Sequence, residues 1–145
     1  MDFFSSLRVS ASGLDAQMKR MNTISSNLAN AETTRTEEGG PYKRQDVIVE
    51  AQTDRESFGE ILNNQMDEAV KGVQVVDVHR DERAPRMLYK PEHPDANEEG
   101  YVAMPNVNPV QEMANMISAN RSYEANASAI STVSQMAQKA LELGR

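Results

Sequence analysis

The chain has 145 residues, 15 Lys+Arg against 22 Asp+Glu for a formal net charge of −7, and neither Cys nor Trp. Leu, Ile, Val and Phe fill only 27 positions, and a share below about 20% joined to high net charge marks chains that bury too little apolar surface to fold unaided. That argues against a self-sufficient globular enzyme. A membrane-spanning helix is excluded by the lack of an apolar run of about 18 residues, and the acidity argues against a sequence-independent nucleic-acid binder.

The opening Met1-Asp2-Phe3-Phe4-Ser5-Ser6 lacks the basic head and apolar stretch of a cleaved signal peptide. Without cysteine there is no disulfide framework, and redox usage says nothing of compartment. Charge is spread unevenly. Residues 1–31 carry three basic and two acidic side chains, and residues 109–145 carry three of each. Residues 32–108 therefore hold a net −8. The chain divides into an N-terminal segment (1–31), an acidic middle segment (32–108) and a C-terminal segment (109–145).

In the first segment Phe4, Leu7, Ala11, Leu14, Met18, Met21, Ser25 and Leu28 recur at alternating steps of three and four, the seam of a long helix packed along a partner. Gly13 is a mild interior fault, costing about 1 kcal/mol relative to Ala, and leaves room for another backbone to come close. Away from the seam stand Ser5, Ser6, Ser12, Ala16, Asn22, Ser26, Asn27 and Ala29. A helix back turned to water is normally rich in Lys and Glu. Small uncharged residues there imply contact on more than one side, whereas a two-stranded coiled coil with a polar exterior is the plainer alternative.

The middle segment changes to period two and turn signals. Stretches 42–51 (with Val47, Ile48, Val49), 72–80 (with Val73, Val75, Val76, Val78) and 101–104 read as short strands. Gly39-Gly40-Pro41 and Pro91-Glu92-His93-Pro94-Asp95 read as turns or loops. Residues 57–66 fit one short amphipathic helix. Asp77, His79 and Asp81 alternate along a strand and could ligate a divalent metal, but a solvated strand edge is the better reading. His93 near Asp95 has no paired nucleophile and reads as a loop-fixing residue rather than a general base. No catalytic, cofactor or metal site is assigned.

The last segment opens with a cap. Asn108 precedes Pro109, which suits the first helical position, and Gln111 stands where a capping box wants it. Met113, Met116, Asn120, Tyr123, Ala127, Ile130, Ser134, Ala137 and Leu141 then repeat the seam, with Gly144 as a stop. Here too the remaining faces carry small uncharged residues, among them Asn115, Ala119, Ser122, Asn126, Ser128 and Ala129. The expected fold is mainly α with a small β-rich middle lobe, its long terminal heptad helices packed side by side, coiled-coil-like, in a helical assembly. Leu7, Leu14, Met18, Met21 and Leu28, with Met113, Met116, Tyr123, Ile130 and Leu141, form the expected assembly interface, whether within one chain or between chains. One seam cannot offset the entropy of ordering such helices, so the ends should order only on association.

Several ordered segments carry a family resemblance. Ser12-Gly13-Leu14-Asp15-Ala16-Gln17, Asn22 and Ser26-Asn27-Leu28-Ala29-Asn30-Ala31 resemble the N-terminal signature of bacterial flagellar rod, hook and filament-axis proteins. Ala29 through Thr36 running into Gly39-Gly40-Pro41-Tyr42 is similar to the proximal-rod, FlgC-type branch of that family. So are His93-Pro94-Asp95-Ala96, Gly100-Tyr101-Val102, Pro105-Asn106-Val107-Asn108, and Glu112 through Asn126.

The resemblance implies a non-enzymatic structural subunit without cofactors, exported unfolded through the flagellar type III apparatus without a cleaved signal. It implies assembly into the rod of the basal body that crosses the periplasm and transmits motor torque. Implied partners are copies of itself, other proximal-rod subunits, the adaptor toward the membrane ring, and the distal rod, with no nucleic acid and no direct membrane insertion. A soluble coiled-coil adaptor or chaperone in a small closed oligomer is the rival reading.

Overall fold

Long helices at both ends follow from the runs of helix-forming residues there and from how each run starts and stops. A computed structural model describes residues 3–52 and 71–143 of the chain. Helix α1 spans Phe3–Ala29 and ends where the Asn30 amide side chain and backbone N–H both donate to the Ser26 carbonyl, at 2.9 and 3.0 Å. This satisfies a carbonyl that the helix end would otherwise leave bare. The second helix, α2, spans Pro109–Leu143. Asn108 caps it through Oδ1, which accepts from the N–H of Val110 at 3.1 Å. At about 1.5 Å per residue the helices are roughly 40 and 52 Å long. Among the described residues no helix is long and apolar enough to cross a membrane.

The two helices pack antiparallel. Asn27 bonds to Glu112, and a Cβ on Gly13 would meet the side chain of Asn126. Both pairings lie on one register, because Gly13 to Asn27 and Glu112 to Asn126 are equal steps of fourteen residues. The line of contact runs through the small-residue face. Ala16, Ile24 and Asn27 are buried on α1, and Glu112 and Ala119 on α2. Asn115, Ser122 and Asn126 are half-buried beside them. Apart from Ile24 and Glu112 these side chains are short or uncharged, which lets the backbones approach closely with little desolvated charge.

Between the helices lie two small antiparallel sheets. Strands β1 (Gln45–Ala51) and β2 (Val73–Arg80) pair from Gln45↔Arg80 to Ala51↔Val73. A β-bulge falls between Ile48↔Asp77 and Val49↔Val75, leaving Val76 as the extra residue. It accounts for the phase slip in Val73, Val75, Val76, Val78, where a period-two run restarts one residue early. Both strands pack against α1. The Ser12 hydroxyl donates to the Val9 carbonyl at 2.7 Å and accepts from the Val73 N–H at 3.0 Å. Gly72 is needed there, because a Cβ would sit 2.8 Å from Ser12 Oγ.

Strands β3 (Arg86–Tyr89) and β4 (Tyr101–Met104) form the second sheet. A strand is expected from sequence at 101–104 but none at 86–89, which is a strand by virtue of pairing with β4. Leu88 opposes Val102, and Val102, Met104, Pro105 and Val107 are buried on the way into α2. On the other face Tyr89 and Tyr101 meet edge to face, with ring centroids 5.3 Å apart. Gly100 turns the hairpin at φ 81°, and a Cβ there would lie 2.9 Å from the Tyr89 ring. The helix expected at 57–66 and the Gly144 stop fall outside the described residues.

Candidate functional site

A buried polar junction ties the lobe-proximal ends of both helices to the start of β1. Asn27 is fully buried and Glu112 is 1% exposed. The Asn27 amide donates to the Gln45 carbonyl at 2.7 Å and to Glu112 Oε2 at 3.1 Å. Its oxygen accepts from the Gln45 N–H at 2.9 Å and from the Tyr42 hydroxyl at 3.0 Å. Both donor hydrogens and both acceptor positions of the amide are thus used. The other Glu112 oxygen accepts from Arg44 Nε at 2.9 Å, and Arg44 Nη1 reaches Asp46 at 3.2 Å. Burial works against the Arg44 charge, but the bonds to Glu112 and Asp46 outweigh it and hold its pKa above the ordinary value.

A carboxylate taken out of water needs such partners, since removing one of a buried pair costs about 3–5 kcal/mol. The junction is therefore a joint rather than a reaction centre: its groups saturate one another and leave no free nucleophile or base. The sequence places Asn27 on the polar back of its helix and both residues within the family-like segments, without pairing them. The available signal was position, because Glu112 is the one acid in the first turn of a charge-poor helix.

The ten residues expected at the assembly interface divide into two sets. Met18, Met113 and Leu141 face outward, 47%, 54% and 75% exposed. Leu7, Leu14, Met21, Leu28, Met116, Tyr123 and Ile130 are half-buried. Within one chain they do not form its buried centre, which belongs to Ala16, Ile24, Asn27, Glu112 and Ala119. Phe4, Val110, Ile117 and Met136 add further exposed apolar side chains to the helices.

The residues weighed for metal or acid–base work have other commitments. Asp81 is clamped by Arg83 through both guanidinium and backbone N–H, which pulls its pKa down to about 2. Asp77 accepts from the N–H of Val78 at 2.7 Å, and His79 lies on the exposed strand. His93 Nδ1 accepts from the Asp95 N–H at 3.2 Å, and the Asp95 carboxylate accepts from the Thr34 hydroxyl at 2.7 Å. This fixes the loop against the segment after α1. Among the described residues no three His, Asp or Glu side chains converge as metal ligands.

Residues 7–35 match the family model described as "Flagella basal body rod protein". Residues 98–143 match that of "Flagellar basal body rod FlgEFG protein C-terminal". The chain is 47% identical to the flagellar basal-body rod protein FlgC of Bacillus subtilis (strain 168), covering 100% of both chains. It is 40% identical to FlgC of Borreliella burgdorferi over 99% of this chain and 98% of the relative. It is also 40% identical to FlgC of Aquifex aeolicus, over 98% and 97%. Two long terminal helices flank a small two-sheet middle and are joined to it by a saturated polar knot. With full-length likeness at these identities, the chain belongs to the FlgC family of flagellar basal-body rod proteins, structural subunits of the flagellum rather than enzymes.

Proposed function

We propose that the chain builds the proximal rod by laying its two terminal helices against those of neighbouring copies and other rod subunits, in a shaft that crosses the periplasm and transmits motor torque. One observation carries this reading. The helix pair closes on itself through small and polar residues, while Phe4, Met18, Val110, Met113, Ile117, Met136 and Leu141 remain exposed. Apolar side chains distributed along both helices suit burial by several neighbours, and the sparse charge on those helices keeps that burial from stranding ions.

The same reading assigns export to the flagellar type III apparatus and contacts to a membrane-ring adaptor and the distal rod. Helix ends that order fully only among neighbours would thread through an export channel and resist premature polymerisation. Met113→Asp, at a side chain exposed in the single chain, and Leu14→Asp, at a half-buried one, test the interface. Both variants should be expressed and yet leave cells without swimming or basal-body rods. Normal swimming with either would contradict the proposed interface.

A further inference from the structure

A cleft of about 550 Å³ opens beside the start of α2, and Arg44, Arg83, Arg86, Asn106 and Asn115 are among the residues that line it. Glu112 is the one acid in its lining, and that carboxylate is already bonded to Asn27 and Arg44. Arg44 and Arg83 are partly engaged, by Glu112 and Asp46 and by Asp81. Arg86 is exposed, and its side chain has neither hydrogen bond nor ion pair among the described residues. The side-chain amides of Asn106 and Asn115, both half-buried, have no partner among them either. Unused donors in a partly desolvated cleft favour an acceptor from outside, and a guanidinium fork fits a carboxylate best.

The chain carries matching carboxylates elsewhere. The loop between β3 and β4, residues 90–100, holds Glu92, Asp95, Glu98 and Glu99 against Lys90, net −3. Glu98 and Glu99 stand side by side in an exposed turn, and neither side chain has a partner among the described residues. Their turn is fixed from within. Asn97 Oδ1 accepts from the N–H of Glu99 at 3.1 Å and of Tyr101 at 2.8 Å, and Gly100 closes the turn at φ 81°. Carboxylates already held in place lose little freedom on docking. One chain cannot join its own turn to its own cleft. Arg86 pairs with Met104 at one end of the β3–β4 hairpin and Tyr89 with Tyr101 at the other, so the paired strands keep Arg86 roughly 10 Å from the start of the loop.

We infer that the cleft receives the Glu98–Glu99 turn of a second copy of this chain, with its carboxylates on Arg86 and on the amides of Asn106 and Asn115. Cleft and turn are different patches of one surface, so the contact is head to tail. A copy that docks by its turn leaves its own cleft open for the next, which builds an open array instead of a closed pair. The inference deepens the rod-subunit reading and rests on it. Exposed ion pairs add little affinity, so this contact fixes which edges meet and in what register, while the exposed apolar residues of the helices supply the adhesion.

Cross-linking tests it, because the chain has no cysteine of its own. Basal bodies should be isolated from cells whose only copy of the chain carries Arg86→Cys together with Glu99→Cys. A short bis-maleimide should shift most of that chain from monomer to a ladder of joined copies, with peptides linked between positions 86 and 99. Either substitution alone should leave monomer. Asn106→Cys with Glu98→Cys, a second pair across the same contact, should give the same ladder. Monomer only from both pairs, the result expected if the acids of another subunit fill the cleft, would overturn the inference. So would a dimer from one substitution alone, which marks a symmetric contact. Absence of the wild-type chain from isolated basal bodies would instead sink the rod reading itself.

Discussion

A Cβ built on Gly13 falls 3.0 Å from Nδ2 of Asn126, so the terminal helices come together there as closely as one amide side chain permits. Ala at this position gains about 1 kcal/mol of helix propensity and displaces only the end of a flexible side chain. Gly13→Ala should therefore change stability by less than about 1 kcal/mol. Gly13→Leu must push the helices apart and should cost about 1–3 kcal/mol. Thermal denaturation of both variants checks the pair, and equal effects would refute close approach at this level.

Asn27→Ala removes four hydrogen bonds and leaves the Gln45 backbone groups and the Glu112 carboxylate without their partner. A loss of about 3–5 kcal/mol is expected in chemical denaturation. Ser122→Ala removes a bond to the Ser118 carbonyl within the same helix and should change stability by less than about 0.5 kcal/mol. Similar losses for the two variants would contradict a joint centred on Asn27.

The Asp81–Arg83 clamp sets a pH dependence. The Asp81 pKa lies near 2 rather than the ordinary 3.8, chiefly through the hydrogen bonds from Arg83. A depressed folded pKa contributes stability above pH 3.8 that disappears as pH falls toward 2. NMR titration should find the Asp81 midpoint near 2 in the wild type and raised toward 3.8, but short of it, in Arg83→Ala, which keeps the backbone N–H bond. The variant should lose stability only above about pH 4, where the carboxylate is charged in both states. An unchanged midpoint in the variant would assign the shift elsewhere.

Gly100 combines positive φ with a Tyr89 ring where a Cβ would be. Gly100→Ala should lower stability by about 1–3 kcal/mol and disturb the Tyr89–Tyr101 edge-to-face pair. Near-ultraviolet circular dichroism should report the change, and an unaltered aromatic spectrum would argue against it.

Much of the architecture is written in local pattern. The Asn108-Pro109 start and the 3.6-residue periodicity locate α2 at its observed beginning, and alternating Val residues locate β1 and β2 within a few positions. The choice of buried face is not local. Apolar heptads single out Leu14, Met18 and Met113, whereas the chain closes through Gly13, Ala16, Asn27, Ala119 and Asn126. Close packing rewards short side chains, and hydropathy patterns count those as surface. The junction is hidden because Asn27 and Glu112 are separated by 85 positions: the small uncharged back of α1 implies contact at Asn27 but does not name Glu112 as the partner. Strand β3 exists through its pairing with β4, a long-range bond that four residues do not announce.

On the proposed function, the exposed apolar residues of the helices serve other subunits, while the small-residue face serves the chain itself. The natural sequence has no cysteine, so Met18→Cys and Met113→Cys give single thiols for maleimide labelling in the purified chain and in isolated basal bodies. Both thiols should label readily in the free chain and lose most of that labelling in the assembled rod. Thiols that label as fast in basal bodies as in the free chain would contradict the claim.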